Sequence, residues 1–212
     1  MKTPGKSCHR MIEERIAAMS AEDAFVTSDF CDVADADTAS RALLRLRESG
    51  KIKRVMHGVY ARVSYAAEET TPDHVAHAIA RGNRWTIAPS GDTALYLAGV
   101  IAEKPRDWTY VTDGTYRSYT LADATIRFLH TSGKLLSAVS EKTALVIQVI
   151  RAYGKEKIND ELLRYLSRIL CHGNEETLMR ETKHMSQWIY HSVCDMCRWA
   201  LGKNPERQTG SE

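Results

Sequence analysis

The chain has 212 residues, 43% of them apolar, and its 29 basic and 27 acidic side chains leave a net charge of +2. A chain of this length can bury a sizeable core. No apolar run approaches membrane-spanning length, and the N-terminus MKTPGKSCHR lacks the apolar centre of a signal peptide, so we expect a cytoplasmic protein without membrane contact. Five cysteines, an odd number, fit reduced thiols better than a disulfide framework.

The small net charge hides a basic stretch in the first third of the chain. Between Arg41 and Arg62 there are seven cationic side chains and a single acid, Glu48, whereas residues 65–212 carry 18 basic and 18 acidic side chains. A localised basic patch is typical of a nucleic-acid-binding surface. The change of charge pattern near residue 64 also predicts two modules.

Three helix patterns come first in chain order. Residues 9–19 form an amphipathic pattern, and residues 25–33 predict a second short helix that Thr27 or Ser28 caps. After a turn at residues 34–37, the third helix covers residues 38–48, with Asp37 as its N-cap and Gly50 just past its end. Its inward face is formed by Ala39, Ala42, Leu43 and Leu46, which leaves Arg41 and Arg45 facing outward.

From Ile52 the pattern changes to period two, with His57-Gly58 as the turn of a hairpin. Three helices and a hairpin are the parts of a winged helix, in which the third helix enters a major groove and the hairpin contacts phosphates or the adjoining minor groove. The alternative is an ordinary solvated charged surface. The predicted DNA-binding residues are Ser28, Thr38, Arg41, Arg45, Lys51, Lys53, Arg54, His57 and Arg62.

The rest of the chain predicts a linker and a second, mixed module. Residues 64–71 read as the linker, followed by a helix from Pro72 to Gly82, a strand at 85–88 and a helix over 93–98 capped by Ser90. Strands follow at 108–112, 116–121 and 125–130, with Asp113-Gly114 as a hairpin turn. Helices are predicted at 140–154, at 159–170 and from Asn174 to about Leu201.

These elements predict an α+β protein in which an N-terminal winged helix-turn-helix precedes a mixed α/β domain with a helical C-terminus. We assign residues 1–64 to the DNA-binding domain, 72–170 to the α/β domain and 171–212 to a C-terminal helix and polar tail. On the last helix one stripe should be covered by the body of the protein or by a second copy in a homodimer. That stripe consists of Trp188, Ser192, Met196 and Trp199.

Other constellations favour structural roles over chemistry. A possible zinc site is formed by Cys171, His172, His191, Cys194 and Cys197. On one helix the last three sweep an arc of about 120°, which is wide for one tetrahedral ion, so we predict packed thiols and no metal site. Ser90-Gly91 lacks the first glycine of a nucleophile elbow, and capping explains the serine. No other catalytic set or cofactor motif appears, so we predict that the chain is not an enzyme. Core packing is the favoured role of the aromatic residues Trp85, Trp108, Tyr110, Tyr116 and Tyr119.

Several segments together resemble the AbiEi-type antitoxin family, whose members are transcriptional regulators of type IV toxin-antitoxin and abortive-infection systems. They are SDF at 28–30, RALLRLRESGKIKRVMHGVYARV at 41–63, VAHAIARG at 75–82, APSGDTAL at 88–95 and YVTDG at 110–114. The resemblance covers about residues 9–170. The helix and hairpin alone are common to many winged-helix proteins, and their combination with PSG and TDG is more specific.

The resemblance implies an antitoxin that represses its own promoter by binding inverted-repeat DNA and neutralises a nucleotidyltransferase-like toxin without needing to hold it in a stable complex. The alternative is a winged-helix regulator whose C-terminal domain is an enzyme or an RNA-binding module. A neighbouring gene for such a toxin and an inverted repeat upstream would favour the antitoxin.

Overall fold

The protein is described by a computed structural model over residues 7–63, 70–121, 123–132, 136 and 138–202. These residues form an α+β fold. The chain divides into a first unit, Met1–Thr86 with Ser118–Ile126, and a second unit, Ile87–Arg117 with Arg127–Glu212. Among the described residues no helix is both long enough and apolar enough to cross a membrane.

The first unit packs three helices on a small antiparallel sheet. Its core is built from Ile12, Phe25, Phe30, Leu43 and Leu46, which are all buried. The sheet has the strand order β1-β3-β2, with Val26 opposite Val59 and Lys53 opposite Ala61. In chain order the elements are α1 (Cys8–Ala18), β1 (Ala24–Val26), a 3₁₀ helix (Thr27–Phe30), α2 (Ala36–Glu48), β2 (Ile52–Met56), β3 (Val59–Arg62) and α3 (Pro72–Asn83).

The predicted helix at residues 25–33 is wrong, because this segment forms β1 and the 3₁₀ helix. Phe25 pairs with Tyr60 across the sheet and packs edge-on against Phe30, with ring centroids 5.8 Å apart. Neither Thr27 nor Ser28 is the cap; the carboxylate of Asp29 accepts a hydrogen bond from the Val26 amide at 3.0 Å. Sheet pairing of Phe25 therefore outweighs its local helical spacing.

Helix α3 belongs to the first unit, although the predicted boundary falls before it. The Arg81 guanidinium donates to Asp29 at 3.1 Å and to the Ala24 carbonyl at 2.8 Å. A Cβ at Gly82 would lie 3.4 Å from a Val26 methyl group, an ordinary contact distance, so α3 packs against β1 at this point. Thr71 caps α3 as predicted. Of the predicted linker, residues 64–69 lie outside the described residues.

The second sheet has the strand order β4-β5-β7-β6. Since β5 neighbours β7, the predicted Asp113-Gly114 hairpin between β5 and β6 is wrong. The His130 ring meets the Gly114 carbonyl at 2.7 Å, so the segment after β5 passes the end of β7 before β6 begins. Buried Tyr110 faces Phe128, with centroids 5.9 Å apart. The strands are β4 (Ile87–Pro89), β5 (Asp107–Thr112), β6 (Arg117–Leu121) and β7 (Ala124–His130).

Ser90 does not cap α4 (Asp92–Leu97). The residue before that helix is Gly91, with a positive φ of 58° and no side chain to cap with. The Ser90 amide instead donates to the Thr109 carbonyl at 2.9 Å, and its hydroxyl approaches the same oxygen at 3.5 Å. Ser90 thus ties the end of β4 to β5, where it is buried.

Four further helices form the apolar core of the second unit. They are α5 (Glu141–Tyr153), α6 (Asp160–Leu166), which continues as a π-helical turn Ser167–Cys171, α7 (Glu175–Thr182) and α8 (Gln187–Ala200). The single last helix predicted from Asn174 is wrong, because α7 ends at Thr182 and α8 begins only at Gln187. Between them the Thr182 carbonyl accepts a hydrogen bond from the Met185 amide at 2.9 Å, which closes a turn.

Residues 171–202 are part of the second unit rather than a separate segment. Leu178, Ile189 and Met196 are buried in one cluster with Val146 and Ile150 of α5. The stripe predicted on the last helix is therefore covered by the body of the protein. Ser192 and Met196 are buried, and Trp188 and Trp199 are half-buried.

Candidate nucleic-acid interface

Helix α2 presents a basic face to solvent. Asp35 is its N-cap, two residues before the predicted Asp37, and accepts hydrogen bonds from the Thr38 amide at 2.9 Å and the Thr38 hydroxyl at 2.8 Å. These bonds hold the pKa of the Asp35 carboxyl below its usual value. The buried face is the predicted one, so Arg41 and Arg45 lie exposed, one turn apart, on the other side.

The arginines of this face are not used to hold the fold together. Among the described residues no hydrogen bond or ion pair engages the side chain of Arg41, Arg45 or Arg47, and all three residues are exposed. Their charges are therefore available to an external anion. By contrast, the Arg15 guanidinium of α1 is engaged within the unit, since it donates two hydrogen bonds, of 2.7 and 2.6 Å, to the Asp32 carboxylate.

The hairpin of β2 and β3 adds three of the predicted residues. The Lys53 side chain is exposed and has no partner in the described part of the chain. A bulge between Arg54 and Met56 breaks the pairing register. There the Arg54 guanidinium folds over the turn, donating to the Met56 carbonyl at 3.3 Å and contacting the His57 ring. The turn itself requires Gly58, whose φ is 78°.

Two predicted residues are engaged elsewhere. Lys51 forms an ion pair with Glu13 of α1, which lowers the pKa of that carboxyl. Arg62 donates to the Ala17 carbonyl at the end of α1, at 2.8 Å. Both line a cavity of about 430 Å³ between α1, the end of α2 and the start of the hairpin. Their role in the structure is to fasten the hairpin to α1.

Ser28 and Thr38 occupy different environments. Ser28 is exposed in the 3₁₀ helix and lines a cavity of about 320 Å³ together with His57 and Gly58 of the hairpin turn. This places Ser28 beside the turn. Thr38 is half-buried, and its hydroxyl is committed to Asp35. It supports the start of α2.

Two exposed residues of α2 are not among the predicted site residues. Leu44 is 44% exposed and lies between Arg41 and Arg45 on the outward face of α2, and Arg47 lies on the flank of the same face. Helical spacing alone places both of them on the surface. The outward face of α2 therefore offers guanidinium groups and one apolar contact.

Comparisons with known proteins place the chain among relatives. The family described as "Family of unknown function (DUF6088)" matches residues 11–178. The chain belongs to this family. The match includes the whole of α2 and the hairpin and extends into α7.

One similar solved structure is the crystal structure of the RV2827C protein from Mycobacterium tuberculosis. It is 12% identical, with a TM-score of 0.38, over 95% of this chain and 83% of that one. A likeness at this level carries no argument about fold or function. The search of curated proteins finds no match.

Proposed function

We propose that the first unit is a winged helix that binds double-stranded DNA, with α2 in the major groove and the β2-β3 hairpin as the wing. The observation that carries the proposal is the order of elements: helix, strand, short helix, helix and hairpin, with the first strand completing the sheet in the order β1-β3-β2. A helix-turn-helix module contacts bases through its second helix, which here is α2.

The charge distribution supports the same orientation. Exposed cationic side chains without a partner among the described residues lie on α2, as Arg41, Arg45 and Arg47, and on the hairpin, as Lys53. Lys51 and Arg62 are engaged with α1. Arginine can contact the O6 and N7 atoms of guanine with two hydrogen bonds, so Arg41 and Arg45 are proposed to specify bases, and Leu44 can contact a thymine methyl group. Lys53 and Arg54 are proposed to contact phosphates, as are Ser28 and His57 beside the wing tip.

The test is a binding selection on random double-stranded DNA with the full chain, followed by titration of the selected sequence and of a scrambled one. The proposed function predicts an enriched motif that the Arg41→Ala and Arg45→Ala variants bind with relaxed preference. The Lys51→Ala variant is the matched control. If no DNA is retained, or if single-stranded RNA competes equally well, the winged-helix proposal fails and the RNA-binding alternative gains support.

We further propose that the chain is the antitoxin and autorepressor of a type IV toxin-antitoxin system in the cytoplasm. This rests on the sequence segments that resemble AbiEi-type antitoxins, and its DNA partner would be an inverted repeat in its own promoter, bound by two copies. The second unit would neutralise the toxin. Expression of a neighbouring nucleotidyltransferase-like toxin gene should stop growth, and co-expression of this chain should restore it. A failure to restore growth would contradict the antitoxin role and leave the DNA-binding proposal untouched.

A further inference from the structure

Two buried cysteines from different elements meet in the second unit. Cys171 ends the π-helical turn after α6, and Cys197 lies near the end of α8, 26 positions further along the chain. Their exposed fractions are 0% and 1%, and their Sγ atoms are 3.3 Å apart. We propose that Cys171 and Cys197 are a redox-active thiol pair, which a hydroperoxide converts into a disulfide.

The surroundings of the two thiols favour oxidation to a disulfide over metal binding. The described residues contain no cluster of three or more histidine, cysteine or acidic side chains suited to a metal ion, so the two sulfur atoms have no third ligand to complete such a site. The pair lies in an apolar core that includes Leu166, Leu178 and Val193, and the Cys197 thiol also donates to the Glu175 carbonyl at 3.7 Å. Packed helices hold the two thiols in contact, which is the first requirement for a disulfide between distant cysteines.

The two thiols are not equivalent. The hydrogen bond between the two thiols lowers the pKa of Cys171, whereas the same bond and burial raise the pKa of Cys197. Cys171 is thus the better nucleophile, because the thiolate is the reactive form. Cys194 lies one turn before Cys197 on α8, is only half-buried and forms a hydrogen bond with the Tyr190 hydroxyl. It is a third thiol outside the pair and therefore serves as the control.

The reaction balances with one hydroperoxide. The Cys171 thiolate attacks the terminal oxygen, the O–O bond breaks, and the alkoxide leaves with a proton as the alcohol, giving a sulfenic acid. The Cys197 sulfur then attacks Cys171, the S–S bond forms, and the hydroxyl group leaves with the Cys197 proton as water. Two thiols are oxidised by two electrons and the hydroperoxide is reduced.

The bond would fasten α8 to the end of α6 and close a loop that contains α7. Closing a loop of about 27 residues restricts the unfolded chain, and for a protein of this size the thermal midpoint should rise by roughly 10 °C on oxidation. The Cys171→Ser and Cys197→Ser variants should lose this shift, while Cys194→Ser should keep it. The thermal midpoint of each variant is compared between its own oxidised and reduced samples. Any destabilisation by the substitution itself affects both samples and therefore cancels.

Peptide mapping identifies the bond directly. The full chain is treated with hydrogen peroxide, alkylated with N-ethylmaleimide and digested with trypsin, which separates residues 169–180, with Cys171, from residues 184–198, with Cys194 and Cys197. We expect the two peptides joined and about 2 Da lighter than their sum, in the wild type and in Cys194→Ser. A bond within residues 184–198, or full alkylation of Cys171 and Cys197 after oxidation, would overturn the proposal.

Discussion

The sharpest test of the proposed DNA-binding surface compares two lysines two positions apart on the chain. Lys53 has no partner among the described residues, whereas Lys51 is paired with Glu13. Each cation that meets a phosphate contributes about −0.9 to the slope of log K against log salt. Arg47, Lys53 and Arg54 together would give a slope of about −2.7 per bound copy.

Between 50 and 200 mM salt, a slope of about −2.7 corresponds to an affinity loss of about 40-fold, and removing one contact reduces that loss to about 12-fold. We therefore expect Lys53→Ala to make the slope shallower by about 0.9 and Lys51→Ala to leave it unchanged. Fluorescence anisotropy titrations of the selected duplex across this salt range measure both slopes. Equal slopes for the two variants, or a wild-type slope near zero, would refute the assignment of the hairpin surface.

Three further outcomes follow from contacts in the structure. Arg45→Ala should lower the discrimination at one base pair by about 1–3 kcal/mol, measured with single-substituted duplexes, while Lys53→Ala weakens all sequences alike. Asp29→Ala removes the acceptor for the Val26 amide and for Arg81 of α3. It should lower the free energy of unfolding, measured by urea titration, by about 2 kcal/mol. An unchanged urea midpoint would contradict this role of Asp29. Ile147→Asp buries a carboxylate where the side chain is 3% exposed, so it should cost on the order of 4 kcal/mol and abolish growth rescue by the proposed antitoxin.

Periodic segments with local end signals could be predicted from the sequence. Helix α3 was predicted correctly because its start signals are local. Thr71 caps the helix and Pro72 occupies its first position, and both act within one turn. The buried face of α2 was predicted correctly because its apolar spacing is regular over two turns. In both cases the decisive interactions lie within a few residues along the chain.

Errors arose where distant pairing decides the structure. Phe25 is a strand residue because Tyr60 lies opposite it, and the Asp113-Gly114 turn does not join neighbouring strands because β7 lies between β5 and β6. Neither partner is visible in a local pattern. For the same reason charge counting could not separate Lys51 and Arg62 from Lys53, since Glu13 and Ala17 belong to a helix more than thirty positions earlier.

The cap of α2 makes the proposed DNA-reading helix sensitive to acid. Because bonds from Thr38 lower the folded-state pKa of Asp35, its contribution to stability is present above the unfolded-state pKa of about 3.9 and is lost as the pH falls through the folded value. Asparagine caps a helix as well as aspartate and does not titrate. The stability difference between pH 7 and pH 3 should therefore be smaller in Asp35→Asn than in the wild type. Urea unfolding at both values measures it, and an equal difference would mean that Asp35 does not hold the start of α2.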